Sequence, residues 1–289
     1  MGPANLAGHL HRLRLQRWWH GRVPHDWSRR WQGGRLLALS GDRSQPENPV
    51  QGRVCERGRQ PQRGHADHGW LDTYHTFSFA NYYNPDRMHF GALRVLNDDT
   101  VAPGMGFGKH PHDNMEIISI PLSGDLEHGD SIGNEGVIRE GDIQVMSAGT
   151  GIIHSERNRN RDKKVKFLQI WIFPNQQNVE PRYDQISLKE IAKENEFYQI
   201  LSPSPNDQGV WIHQDAWFFM GNFTQDWQGN FDLKNSANGV YFFVLEGEAN
   251  IAGEDLNRRD GLGVWETGSI NINAKAGTRT LAMEVPMNF

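Results

Sequence analysis

Two short segments, His110-Pro111-His112 and His154-Ser155-Glu156, set ligand-type side chains at a spacing of two. On an extended strand that spacing places both members of a pair on one face, roughly 6–7 Å apart along the backbone. Two such strands lying together would hold one ion between them. Three neutral imidazoles and a carboxylate suit a borderline divalent transition metal, namely iron, manganese, cobalt, nickel, copper or zinc, at one ion per chain. In an octahedral shell, four protein ligands leave room for an organic substrate and dioxygen. The pattern therefore asks for a sheet scaffold and points to a reactive centre, not a structural plug.

From about Gly64 onward the chain is written in that idiom. Short β-branched and aromatic runs alternate with Gly, Asn, Asp and Pro at close intervals, as in all-β sandwiches and barrels. Strands are expected at 76–79, 91–97, 108–112, 115–122, 126–130, 136–138, 143–147, 154–158 and 165–173. A Pro/Arg/Tyr link over 174–183 and one short helix over 188–195 separate these from a second β-rich half. That half carries expected strands at 210–214, 216–223, 240–247, 248–251, 263–265 and 269–273. Two β-modules in tandem is the economical architecture, with domains at 63–180 and 181–289.

Residues 1–62 read differently. The stretch 1–63 holds twelve arginines, no lysine and four acids, a charge of +8; the overall −5 leaves −13 for the rest. It contains no Ile, Phe, Tyr or Thr but has four tryptophans, in mixtures such as Arg17-Trp18-Trp19. A basic aromatic arm for nucleic acid or membrane is one reading; a disordered extension, or a translated stretch outside the true frame, is the simpler one. The acidic body disfavours direct contact with nucleic acid or anionic lipid, because both partners are themselves negative. Cys55 is the only cysteine, so no internal disulfide forms and thiolate ligation is excluded from the main body. No apolar stretch reaches the length of a membrane span, and the first thirty residues lack the apolar core of a secretory signal. The expectation is a cytoplasmic protein.

The histidine pairs also sit in a longer pattern. Gly104, five residues, His110-x-His112, three residues, Glu116 and later Gly124 resembles the first signature of the cupin superfamily, with one extra residue before the last glycine. Gly141, five residues, Ser147-Ala148-Gly149, four residues, His154, three residues, Asn158 resembles the second, with Ser147 in place of the usual Pro and a longer spacer. More narrowly, Arg63-Gly64-His65-Ala66, Tyr74-His75-Thr76-Phe77-Ser78-Phe79, Arg94-Val95-Leu96-Asn97-Asp98-Asp99, His110-Pro111-His112, Val145-Met146-Ser147-Ala148-Gly149-Thr150-Gly151 and Pro181-Arg182-Tyr183 resemble the pirin family, closest to its bacterial quercetin 2,3-dioxygenases. The resemblance covers about residues 63–289. It implies two tandem cupin barrels, with one metal in the first, held by His110, His112, His154 and Glu156. It also implies a flavonol such as quercetin as substrate, opened by dioxygen with release of carbon monoxide.

Two carboxylates compete for the fourth ligand position. Glu116 lies four residues past His112, about 13 Å along an unbroken strand, and would reach the ion only if Asp113-Asn114 turns the chain. Glu156 needs no bend, and is read as both ligand and proton acceptor, with Glu116 read as a residue that supports the ligands or is structural. His65, His68, His75, His89 and His128 are read as hydrogen-bonded or surface residues. Phe107, Met115 and Met146 are candidates for an aromatic pocket, though ordinary core packing accounts for each. The second half has one histidine, His213, so its barrel is expected to be metal-free. Besides the dioxygenase, two other classes fit: a metal-containing regulatory module with a protein partner, and a cupin isomerase or hydrolase.

Overall fold

The runs broken by Gly, Asn and Asp fold as strands almost throughout. The computed structural model describes residues 53–58, as backbone, and 62–289. Twelve strands come before residue 190: β1 (Arg53–Gly58), β2 (Gly64–Asp67), β3 (Leu71–His75), β4 (Leu93–Val101), β5 (Gly106–His112), β6 (Glu116–Ser123), β7 (Leu126–Asp130), β8 (Glu135–Ile138), β9 (Asp142–Ser147), β10 (Ile152–Asn158), β11 (Val165–Ile172) and β12 (Arg182–Ser187). Ten follow: β13 (Phe197–Ser202), β14 (Val210–Trp211), β15 (Trp217–Phe223), β16 (Trp227–Asp232), β17 (Asn238–Glu246), β18 (Glu248–Ile251), β19 (Glu254–Asn257), β20 (Gly261–Trp265), β21 (Ser269–Ala274) and β22 (Thr278–Pro286).

They form two barrels, each a seven-stranded sheet closed over a four-stranded one. The first pairs β12-β9-β6-β11-β4-β3-β2 with β5-β10-β7-β8; the second pairs β1-β20-β17-β22-β15-β13-β14 with β16-β21-β18-β19. This is the tandem cupin architecture expected from the sequence. Among the described residues no helix is long and apolar enough to cross a membrane.

Strand alternation decides where the core sits. Outward-facing Ile118 and Ile120 of β6, Ile143 and Val145 of β9, and Leu168 and Ile170 of β11 share one buried cluster with Phe218, Met220, Tyr241, Phe243, Leu281 and Met283 of the second barrel. The large sheets thus pack outer face to outer face. Inside the second barrel, Phe219, Val240, Phe242, Val264, Ile270, Ala282 and their neighbours fill the space with apolar groups. Inside the first barrel, apolar residues gather only at the two ends: Leu71, Val101, Leu126, Ile138, Val165 and Phe167 form a floor, and Ile117, Met146, Ala148 and Ile152 line a mouth.

Several elements differ from expectation. In place of a helix over 188–195 there is one 3-10 turn, Leu188–Glu190. Only Leu188 and Ile191 reach the apolar seam, and so short a segment cannot sustain a helix without a packed face. Residues 76–79 carry only an isolated bridge, Phe79 to Tyr82, and Phe77 is drawn into the seam. β12 pairs with β9, so the first barrel's sheet extends past 180 to Ser187. β1 pairs with β20, so Arg53–Gly58 extends the second barrel's sheet. Apart from these strand residues and Gln62, the extension expected over 1–62 lies outside the described residues.

Candidate metal centre

The site is built on the small sheet of the first barrel. On β10, His154 stands opposite His110 of β5 and Asp130 of β7, while Glu156 stands opposite Phe107 and His128. From His110 back to Phe107, β5 advances three residues while β10 advances two, which is a β-bulge. The extra residue lets both His110 and Phe107 face inward, as bulges commonly re-aim a side chain beside a site. Gly106 completes the fit. A Cβ there would lie 2.3 Å from the Glu156 carbonyl oxygen, so only glycine allows the two strands this approach.

His110, His112 and His154 converge as their spacing implied. One candidate ligand nitrogen from each lies within 4.8 Å of the others, with ring centroids 4.4 to 4.9 Å apart. His110 Nδ1 shares a 2.7 Å hydrogen bond with the Gly108 carbonyl, so it carries the proton and leaves the lone pair on Nε2. Burial, and then the neighbouring His110, lowers the His112 pKa to about 3. Burial, followed by the surrounding imidazoles, pushes His154 down as well. Both rings are therefore neutral at pH 7, the form that binds metal. Both ring nitrogens of His154 are buried without a hydrogen-bond partner, a cost on the order of 1–3 kcal/mol per group, and an ion would offset the one at the nitrogen that bears the lone pair. The three residues fit one divalent metal.

Glu156, expected as the fourth ligand, is buried but stands outside that group of three, and its oxygens are held separately. Ser119 Oγ donates to Oε1 at 2.8 Å and Gln169 Nε2 to Oε2 at 2.6 Å. These partners belong to a continuous row on the inner face of the large sheet, in which His75, Asn97, Gln169, Ser119, Gln144 and Gln185 are successive cross-strand neighbours. The row above it, toward the mouth, runs Val95, Trp171, Ile117, Met146 and Tyr183. The small sheet thus presents the histidines, and the large sheet faces them with one polar and one mostly apolar row.

Glu116 goes elsewhere. The chain does turn after His112, with Asn114 at a φ of 45°, yet the turn delivers Glu116 to the outer face of β6, on the side of Ile118 and Ile120. There Ser147 Oγ donates to its carboxylate at 2.6 Å, and burial raises its pKa to about 7 despite Ser147 and Arg182. Its place is in the seam between the barrels. Of the pocket candidates, Met115 and Met146 join the mouth beside Trp171, whereas Phe107 packs on Trp70 near the floor. Among the described residues, no second group of three metal-ligating side chains occurs, in either barrel.

Comparison with known proteins agrees with this geometry. A family model described as Pirin matches residues 57–172, and one described as a quercetinase C-terminal cupin domain matches residues 199–285. A protein named quercetin 2,3-dioxygenase from Escherichia coli K12 is 40% identical over 225 residues, covering 78% of this chain and 96% of that one. The chain belongs to the pirin family. A pirin-like protein of Caulobacter vibrioides is 38% identical, covering 73% of this pirin and 90% of the relative. The solved structure of bacterial pirin YhhW from Escherichia coli, in complex with nickel(II), superposes with a TM-score of 0.76 at 39% identity, over 80% of this chain and 98% of that one.

Sequence reasoning passed over His128, Ser119, Gln144 and Gln169. His65, His75 and His89 do make the hydrogen bonds expected of them, to Asp72, Asn97 and Gly91. His128 is also hydrogen-bonded, to Asp130 at 3.1 Å, but its ring lies 5.6 Å from that of His154. The other three had a visible signal: each is a lone polar residue inside an apolar strand run, as in Ile118-Ser119-Ile120, Ile143-Gln144-Val145 and Leu168-Gln169-Ile170.

Two outcomes follow. Purified protein loaded with nickel and desalted should hold close to one ion per chain by elemental analysis, and His154→Ala should lose most of it; full retention contradicts the site. Glu116, protonated more readily when folded, contributes stability below its ordinary pKa of 4.5 that is lost as pH rises through about 7. Glu116→Gln, which cannot ionise, should therefore gain on the parent across that window by up to about 3 kcal/mol in urea unfolding. A parallel pH dependence in the two proteins would refute the burial of an ionisable group there.

Proposed function

We propose that this pirin is a metal-dependent flavonol 2,3-dioxygenase. The reaction adds both atoms of dioxygen to a flavonol such as quercetin, opens the heterocyclic ring and expels one ring carbon as carbon monoxide, leaving a depside. The observation that carries the reading is the convergence of three imidazoles, two of them, His112 and His154, held neutral by burial, in a barrel whose interior also holds the Glu156 carboxylate. Relatives named quercetin 2,3-dioxygenase, matched over nearly their whole length, support it.

In this reading Glu156 completes the ligand set of His110, His112 and His154. The metal, when bound, supplies Lewis acidity that lowers the pKa of a substrate hydroxyl in its shell. Glu156 accepts that hydroxyl proton, and the Ser119 and Gln169 hydrogen bonds hold its carboxylate in place as it does so. Ile117, Met146 and Trp171 at the mouth exclude water and receive the flat aromatic body of the substrate.

Quercetin under air should lose its visible absorbance when mixed with the metal-loaded protein. A chelator should abolish the loss and added metal restore it. Glu156→Gln should turn over at least about 100-fold more slowly. If fully loaded protein leaves quercetin and oxygen unconsumed, the dioxygenase reading fails and the metal-containing binding protein takes its place.

A further inference from the structure

Buried polar atoms without partners mark places where a protein expects something else to bind. In the polar row, most members are satisfied within the protein. His75 shares a hydrogen bond with Asn97 at 2.9 Å, Ser119 and Gln169 hold Glu156, and Gln185 donates to Asp142 and to the Val137 carbonyl. Gln144 is the exception. It is 1% exposed, sits between Ser119 and Gln185, and its Nε2 has no acceptor. In the row above, Trp171 Nε1 is likewise buried without an acceptor, while the indole ring lies 5.0 Å from His112 and 5.4 Å from Phe79.

Strand parity fixes which way both residues face. Ile143 and Val145, on either side of Gln144, belong to the seam, as do Ile170 and Ile172 on either side of Trp171. Gln144 and Trp171 therefore face the barrel interior, across from the histidines. A donor left unsatisfied in such a place costs on the order of 1–3 kcal/mol, whereas an apolar residue of the same shape costs nothing. Gln144 Nε2 and Trp171 Nε1 are two such donors on the inner face opposite the histidines.

We infer that Gln144 and Trp171 are the substrate-positioning residues of the site, each donating an N–H to an acceptor oxygen of a planar aromatic hydroxyketone. Donors without acceptors select carbonyl, enolate or phenolate oxygens and reject cations. The apolar Ile117 and Met146 beside Trp171 take the ring that carries those oxygens. The inference rests on the proposed function for the class of ligand, and extends it to the residues that choose among such ligands.

The test uses nickel-loaded full-length protein, with Gln144→Leu and Trp171→Phe, both of which keep bulk and delete the donor. Binding of 3-hydroxyflavone and tropolone is followed without oxygen by absorbance, alongside metal content, urea midpoint and quercetin turnover in air. The expected result is an unchanged metal content, a urea midpoint that is equal or higher in Gln144→Leu, and at least a tenfold weaker probe affinity in each variant. Equal affinity in parent and variants overturns the inference. So does a parent that binds neither probe, or an affinity loss that only tracks loss of metal. A parent that binds the probes without consuming quercetin ends the dioxygenase reading; weaker binding by the variants would still uphold the positioning role.

Discussion

Everything in the first barrel depends on the packing of the two large sheets against each other. Because β6, β9 and β11 bury their outer faces in the seam, they gain most of their apolar stabilisation outside the barrel. Their inner faces are then free to carry Ser119, Gln144 and Gln169 at positions where an isolated barrel would need Leu or Val. The second barrel makes the opposite choice. Strands of its large sheet, such as β15, β17 and β22, are apolar on both faces, filling one cluster inward and the seam outward, which gives the first barrel an apolar wall to pack on.

The polar interior is organised, not merely tolerated. Apolar clusters flank the polar rows at the floor and the mouth, so the buried members of those rows lie where hydrogen bonds are strong and unpaired groups expensive. Within it, the small sheet contributes the imidazoles through a bulge and a glycine, and the large sheet contributes the groups that hold Glu156. Desolvation by the surrounding barrel keeps His112 and His154 neutral.

Much of this was legible in the residues. A spacing of two brought His110, His112 and His154 to one place, because strand geometry leaves little freedom once the strands pair. The tandem β-modules were legible from turn residues. What escaped was parity. Strands buried on both faces, such as β6, β9 and β11, read as apolar runs broken by a single polar residue, which marked Gln144 as unusual but did not say that it faces the barrel interior while Val145 faces a second barrel. Strands with little apolar content, such as β12 and β16, were missed because register with a neighbour, not composition, makes them strands. Glu116 illustrates the same limit: its distance from His112 was readable, but the face it would take after the turn at Asn114 was not.

The central claim is that one ion sits in the first barrel, gripped by the two histidine-bearing strands. Anomalous diffraction at the nickel edge from crystals of the loaded protein tests it most directly. The account predicts a single peak per chain within about 2–2.3 Å of one nitrogen each from His110, His112 and His154, with a Glu156 oxygen at similar range. A peak in the second barrel, or one coordinated without those histidines, would contradict it.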